Sequence, residues 1–217
     1  MPPPGPAQQS VPASRRSKIT PERAQELYTA VLDLLREGGY DALTMEGVAS
    51  RTRCGKSTLY RQWGSKPELV VAALHGTRRA TLSGFSDIDT GSLAGDLREA
   101  ARAVDAASGR DTALMHALGH AALQNPDLLC AMRSTLIAPA ITAIDAMVER
   151  AVRRGEIASD NPAADYVAAQ MLGIMRARPL LEGRYGDDAF LTRFIECAVL
   201  PALGLPAPGP APAHGET

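Results

Sequence analysis

The chain has few cysteines, and they form no recognisable pattern. Among 217 residues there are three, Cys54, Cys130 and Cys197, which lie far apart and show no CxxC spacing. This argues against a zinc cluster and against a disulfide framework, and it fits a protein kept reduced in the cytoplasm. We therefore expect a cytoplasmic protein without a metal or another cofactor.

The chain also lacks membrane segments and catalytic motifs. Its N-terminus has no apolar signal-peptide region, and no apolar run approaches the length that spans a bilayer, so no membrane partner is expected. No paired carboxylates and no nucleophile–base arrangement stand out. The sequence therefore does not predict an enzyme.

No stretch alternates apolar and polar residues in the manner of a half-buried strand. Apolar residues recur instead at helical spacing, as at Leu27, Val31 and Leu35. The sequence predicts an all-α fold of about nine helices, with a kink at Pro139. The predicted helices cover residues 21–38, 45–53, 56–62, 65–80, 92–107, 111–124, 127–154, 162–175 and 188–202.

The formal net charge of −1 conceals an uneven distribution of charge. Residues 1–80 contain 12 Lys/Arg and 7 Asp/Glu, a net charge of +5, whereas residues 81–217 contain 11 and 17, a net charge of −6. Positive charge in the first part of the chain is what contact with phosphates requires. Ten of the 16 prolines lie in residues 2–12 and 201–212, so both ends are expected to be flexible.

Residues 43–69 carry the most informative pattern in the chain. Thr44 is placed to cap a short helix, a tight turn follows, and Lys56 opens a second helix in which Leu59 should point to the core. Two short helices joined in this way indicate a helix-turn-helix, whose second helix enters the major groove of DNA. The outward side of that helix predicts base contacts from Lys56, Ser57, Thr58 and Arg61.

The segment Gly55-Lys56-Ser57 also invites a nucleotide-binding interpretation. A phosphate-binding loop needs a glycine where this chain has Ser50, and it follows an apolar strand that this sequence does not contain. The helix-turn-helix is therefore the preferred interpretation.

This region resembles the TetR family of bacterial transcriptional regulators over about residues 19–79. The similarity includes Gly39-Tyr40, Leu43-Thr44, Val48-Ala49 and the run KSTLYRQWGSKPEL at residues 56–69. It implies a homodimeric regulator of double-stranded DNA, most often a repressor that a small-molecule effector releases from a palindromic operator. It also implies phosphate contacts from Thr44, Tyr60, Gln62 and Lys66.

Two departures from the family pattern affect the predicted DNA contacts. Arg53 stands where a glycine is usual, so we expect a turn of different shape with Arg53 directed toward phosphates. Gly55 stands where a capping serine is common, so the cap hydroxyl is lost.

The sequence predicts a head, a body and two flexible ends. The N-terminal arm contains three basic residues, Arg15, Arg16 and Lys18. Two interpretations are equally consistent with them: an arm that enters the minor groove, and a solvated tail. The predicted divisions are a flexible basic arm at 1–17, a helix-turn-helix domain at 18–64, a regulatory ligand-binding and dimerisation domain at 65–204 with a connector helix at 65–80, and a disordered proline-rich tail at 205–217.

The expected ligand pocket lies in the body. His116 and His120 have a spacing that can chelate a metal, but no carboxylate or cysteine accompanies them, so a pocket-lining or exposed role is favoured. The methionines fit an adaptable cavity or an ordinary core. The predicted pocket residues are Met115, His116, His120, Met132, Met147, Met171 and Met175.

The last predicted helix has two adjacent apolar rows, one starting at Phe190 and one at Leu191. One row suffices to pack on the chain itself, so the second suggests a dimer. The predicted interface residues are Ala164, Ala168, Met171, Phe194, Ile195 and Ala198. Two alternatives stay open: a DNA-binding regulator without a small-molecule effector, and a helical enzyme or ligand carrier.

Overall fold

The computed structural model describes residues 19–82, 84–108 and 111–206, without the side chains of 79–82 and 107–108. Within these residues the regular structure is helical, as predicted, and forms nine helices without a strand. The first of them is interrupted at Gly39 (φ 74°), next to its predicted end at residue 38. The α-helical segments are α1 (Pro21–Ala42), α2 (Met45–Thr52), α3 (Lys56–Trp63), α4 (Lys66–Leu82), α5 (Leu93–Ser108), α6 (Thr112–Gln124), α7 (Pro126–Met132), α8 (Ala138–Arg153), α9 (Val167–Glu182), α10 (Asp188–Phe194) and α11 (Leu200–Ala202). The predicted arm at 1–17 and most of the tail at 205–217 lie outside the described residues.

Helix starts follow the capping signals of the sequence. The Thr20 hydroxyl accepts a hydrogen bond from the Arg23 backbone N–H at 3.3 Å, ahead of Pro21 at the first helical position. The side chain of Asn125 caps α7 in the same way, at 2.9 Å from the Leu128 nitrogen. These residues were predicted as helix boundaries, because each combines a capping oxygen with a following proline.

The helix predicted at 162–175 begins and ends later than expected. Asn161 does not cap it; the side chain accepts a hydrogen bond from the Ala163 nitrogen at 2.9 Å and donates one to the Leu203 carbonyl oxygen at 3.0 Å. A short 3₁₀ turn (Ala164–Tyr166) therefore precedes α9, which continues through Pro179 to a left-handed residue, Gly183 (φ 67°). Asn161 thus ties the loop before α9 to Leu203, the residue that follows α11, rather than starting a helix.

Each of two prolines follows a π-helical turn. The turn Arg133–Ile137 joins α7 to α8 and ends two residues before Pro139, and Ile195–Val199 joins α10 to α11 and ends two residues before Pro201. A proline lacks an N–H and its ring crowds the carbonyl four residues earlier. The wider π turn accommodates both effects. The long helix predicted at 127–154 is therefore continuous, and its irregularity precedes Pro139.

The segment Pro126–Arg153 corrects one expectation. No apolar run of membrane-spanning length was expected, yet this 28-residue helix is long and apolar enough to cross a membrane by length and composition, the one such helix among the described residues. Alanines between the larger apolar residues, and at most two charged residues in its most apolar 18-residue stretch, account for this. Leu128, Met147 and Ala151 are buried against the rest of the chain, whereas only 22% of its most apolar 18-residue stretch is buried.

The apolar core consists of two clusters. One, the head cluster, joins α1–α4 to α6 and α7 through residues such as Leu27, Leu59 and Leu118. The other joins α5, α8, α9, α10 and α11 through residues such as Leu97 and Met147. From here on, the head means α1–α4, including the connector helix α4, and the body means α5–α11. The predicted domain boundary lies between residues 64 and 65, but the two clusters do not divide there. The apolar faces of α6 and α7, which follow that boundary, pack on the head.

Candidate DNA-binding surface

The turn between α2 and α3 is built around Arg53. Arg53 has φ 51° and ψ 36°, the left-handed conformation, and is the one non-glycine residue with positive φ among the described residues. Its backbone N–H donates to the Ser50 carbonyl oxygen at 3.3 Å, and that of Cys54 to the Ala49 oxygen at 3.0 Å. The expectation of a differently shaped turn is therefore wrong: Arg53 adopts the conformation that favours glycine, and its side chain is exposed.

The two short helices are held by one cap and two buried side chains. The Thr44 hydroxyl accepts from the Gly47 nitrogen at 3.0 Å, whereas Gly55, as expected, provides no side-chain cap for α3. Leu59 and Trp63 are buried, and the Trp63 ring meets Tyr28 edge-on, with centroids 5.9 Å apart. This anchorage leaves the other side of α3 free to face a partner.

The exposed side of α3 carries most of the predicted DNA contacts. Lys56, Ser57 and Arg61 are exposed there, and Thr58 is half-buried. Of the predicted phosphate contacts, Tyr60 and Gln62 are also exposed. One helix thus presents two cations and several hydrogen-bonding groups on one surface, which suits a groove lined by phosphates.

Lys56 and Lys66 have different environments. The Lys56 ammonium donates to the Glu46 carboxylate and lies 5.8 Å from the Tyr60 ring centre; this hydrogen bond raises the pKa of Lys56. Lys66 lies 4.2 Å above the Tyr40 ring, and partial burial lowers its pKa. Tyr40 thus positions Lys66 by a cation–π contact beside the surface.

The methionines predicted to line one pocket are divided between the two core clusters. Met115 and Met132 belong to the head cluster, whereas Met147, Met171 and Met175 belong to the other. His120 is exposed, and His116 is half-buried against the Tyr185 ring, with centroids 4.9 Å apart. The methionines therefore act as ordinary core, and among the described residues no group of three potential metal ligands occurs.

A groove of about 640 Å³ lies where the head meets α7, and none of the predicted pocket residues lines it. We call it the head–body groove. Its walls are the end of α3, the start of α4, and α7 with its π turn. Its lining residues are Gln62, Trp63, Ser65, Pro67, Glu68, Val71, Ala72, Asp127, Cys130, Ala131, Ser134 and Thr135. Sequence patterns do not reveal this groove, because residues some 60 positions apart meet only after folding.

The predicted dimer interface needs correction for three residues. Ile195 is fully buried, and Ala168 and Met171 nearly so, within the core of the single chain. They leave almost no surface for a partner. Phe194 and Ala198, like Ala164, remain half-exposed. The row beginning at Leu191 fills the chain's own core, because it faces α5, whereas the row beginning at Phe190 lies nearer the surface.

These features define a helix-turn-helix DNA-binding protein: two short helices, a tight turn, and an exposed cationic face on the second helix. The chain belongs to the TetR family of bacterial transcriptional regulators. Residues 27–73 match the family described as bacterial regulatory proteins, tetR family, and residues 87–198 match the tetracyclin repressor-like C-terminal domain.

Similar proteins support this assignment along most of the chain. A DNA-binding transcriptional repressor TetR of Mycobacteroides abscessus is 33% identical over 82% of this chain and 92% of its own. An HTH-type transcriptional regulator of Mycobacterium tuberculosis is 30% identical over 83% of this chain and 88% of its own. These relatives are regulators, so the chain is a DNA-binding transcriptional regulator rather than an enzyme.

Solved structures agree in fold. The TetR family transcription regulator SCO0332 is 29% identical, with a TM-score of 0.62 over 82% of this chain and 97% of its own. A TetR-family regulator from Rhodococcus sp. has a TM-score of 0.67 at 17% identity, over 85% of this chain and 100% of its own. At that identity the second comparison bears on the fold alone.

Proposed function

We propose that two copies of this chain bind a near-palindromic DNA site as a cytoplasmic repressor, each reading one half-site with α3. The observation that carries the proposal is the exposed Ser57 and Arg61 on the face of α3 opposite the buried Leu59, together with the exposed Lys56 at the start of the helix. Lysine and arginine pair with the O6 and N7 acceptors of guanine, so this face suits base recognition. Thr44, Arg53, Tyr60, Gln62 and Lys66 surround it as phosphate contacts.

Selection from random duplexes tests this proposal. We expect the protein to enrich a palindromic site and to lose affinity steeply with salt, because phosphate contacts release counterions. Replacing Arg61 by Ala should relax the preference at particular base pairs, by about 1–3 kcal/mol if the contact is bidentate. Lys66→Ala is the matched control, expected to weaken all sequences about equally. Selection that enriches no sequence would overturn the proposal.

We further propose that a small molecule in the head–body groove controls DNA binding. Response to a ligand is typical of the family. The groove supports this site because Gln62 and Trp63 at the end of the reading helix face Cys130 and Ala131 of α7 across it. Its volume of about 640 Å³ falls in the range of small-molecule sites. A ligand that separates these walls would displace α3 relative to the body.

The exposed thiol of Cys130 offers a direct test in a variant with Cys54→Ala and Cys197→Ala. N-ethylmaleimide on Cys130 adds bulk inside the groove and should weaken binding to the selected site. The same reagent should leave a variant that also has Cys130→Ser unaffected. Unchanged affinity after complete labelling would remove the groove as a control site. It would favour the alternative regulator that has no small-molecule effector.

A further inference from the structure

Glu46 lies beside the candidate base-reading lysine and in the first turn of α2, where a carboxylate also suits the helix N-terminus. It is the second residue of α2, and its exposed carboxylate accepts a hydrogen bond from the ammonium of Lys56, the first residue of α3. The side chain of Glu46 is 61% exposed and that of Lys56 is 50% exposed. An ion pair this exposed contributes little to stability. Stability is therefore a weak reason for pairing Glu46 with Lys56 on this surface.

We propose that Glu46 is a specificity-determining residue that withholds Lys56 from DNA phosphates. The inference rests on the proposed DNA recognition by α3. Carboxylate and phosphate are both anionic acceptors, so Glu46 competes with any phosphate for the Lys56 ammonium. The same carboxylate is repelled by the backbone charge of the duplex, whatever its sequence.

A guanine–cytosine pair reduces the unfavourable free energy of bringing the Glu46 carboxylate to DNA, which phosphates do not. Guanine O6 and N7 accept from a lysine, and the cytosine N4 amino group donates to a carboxylate in the major groove. The Lys56–Glu46 pair offers one donor group and one acceptor group in direct contact. A guanine–cytosine pair presents two adjacent acceptors followed by a donor, whereas an adenine–thymine pair places its donor between two acceptors. The ion pair therefore matches the guanine–cytosine order, and it penalises a surface that presents only acceptors.

The pKa shifts agree with this arrangement. The hydrogen bond from Lys56 is the largest cause of the lowered pKa of Glu46, and the same bond raises the pKa of Lys56. Both groups therefore stay charged near neutral pH. The Tyr60 ring, 5.8 Å from the Lys56 ammonium, borders the pair on the helix surface.

Glu46→Gln separates this role from a general effect of charge. We expect random-sequence duplexes to bind about two- to fivefold more tightly, the effect expected of one exposed ion pair, with a salt slope steeper by about 0.9 for one additional phosphate contact. The preference for one guanine–cytosine pair per half-site should weaken in selection experiments. Glu46→Asp keeps the charge and should retain most of the selectivity.

Two comparisons make the test decisive. Glu37→Gln removes the partner of Arg51 from an exposed ion pair of similar accessibility on the same head, and it should leave the salt slope unchanged. In a Lys56→Gln background, Glu46→Gln should tighten binding to random DNA much less, because only the direct repulsion of the carboxylate is then removed. Equal tightening with and without Lys56, or unchanged selectivity in Glu46→Gln, would overturn the inference. A wild-type protein that enriches no site would instead refute the proposed function itself.

Discussion

At the scale of single residues, Arg53 is the clearest case of a local cost beside a functional surface. Its left-handed backbone costs about 1 kcal/mol relative to glycine. Arg53→Gly should therefore raise the free energy of unfolding by up to about 1 kcal/mol, partly offset by the greater freedom of glycine in the unfolded chain. DNA affinity should fall at the same time, because the exposed guanidinium is lost. Urea unfolding and DNA titration measure the two effects.

The control for this prediction is Arg53→Ala. Alanine lacks the charge but keeps the backbone cost, so it should weaken DNA binding without the gain in stability. If Arg53→Gly is no more stable than Arg53→Ala, the left-handed conformation is not the source of the cost.

The lowered pKa of His116 predicts how the free energy of unfolding depends on pH. Burial, followed by the nearby charge of Arg176, lowers the pKa of His116, so folding favours the neutral ring. The unfolded chain takes up its proton first, near pH 6.5, and stability should therefore fall as the pH drops below about 6.5. His116→Gln should flatten the loss of unfolding free energy between about pH 7 and 5.5. His120→Gln, on the exposed side of α6, should leave it unchanged; equal slopes in all three proteins would contradict the prediction.

At the scale of elements, a buried carboxylate ties α5 to α8. Asp96 in α5 is fully buried and accepts hydrogen bonds from the Thr90 nitrogen at 2.6 Å and the Thr90 hydroxyl at 2.8 Å. Its other oxygen lies 3.5 Å from Arg150 and 3.6 Å from Arg154. Asp96→Ala should lower the free energy of unfolding by about 3 kcal/mol or more, because two arginines lose their buried partner.

Asp89 supplies a matched control for this prediction. It contacts the same arginines, at 3.7 Å from Arg150 and 3.2 Å from Arg154, but its side chain is 53% exposed. Asp89→Ala should therefore cost less than about 1 kcal/mol in chemical denaturation. Similar losses for the two variants would mean that burial of Asp96 is not decisive.

At the scale of the whole molecule, the two apolar rows of the last helix are expected to have different roles: one in folding of the chain and one in formation of the dimer. Phe194 is half-exposed and stacks on Phe190, whereas Ile195 is fully buried. Phe194→Asp should leave the helical circular dichroism intact but split the proposed dimer and weaken operator binding. Ile195→Asp should unfold the chain instead, because it places a charge in the core.

Analytical ultracentrifugation with circular dichroism distinguishes these outcomes. A wild-type protein that sediments as a monomer at micromolar concentration would refute the dimer. A Phe194→Asp variant that remains dimeric would move the interface elsewhere on the body.

The sequence by itself determined the helical class, most helix starts and the reading helix. These properties depend on residues that are close in sequence. Thr20 and Asn125 cap α1 and α7 because each has a side-chain oxygen directly before residues that form a helix. Leu59 points inward because it follows the helical spacing of the apolar residues. The sequence also placed Arg61 on the exposed side of α3, since it lies on the face opposite Leu59, and it placed Lys56 at the exposed start of that helix.

Only the tertiary structure decided which surfaces are buried and which residues meet. Periodicity does not distinguish Ile195 in the chain's own core from Phe194 at the surface, because both belong to apolar rows of one helix. The pairing of Glu46 with Lys56, the burial of Asp96 and the head–body groove join residues separated along the chain. Such contacts depend on how helices pack, which local sequence patterns do not specify.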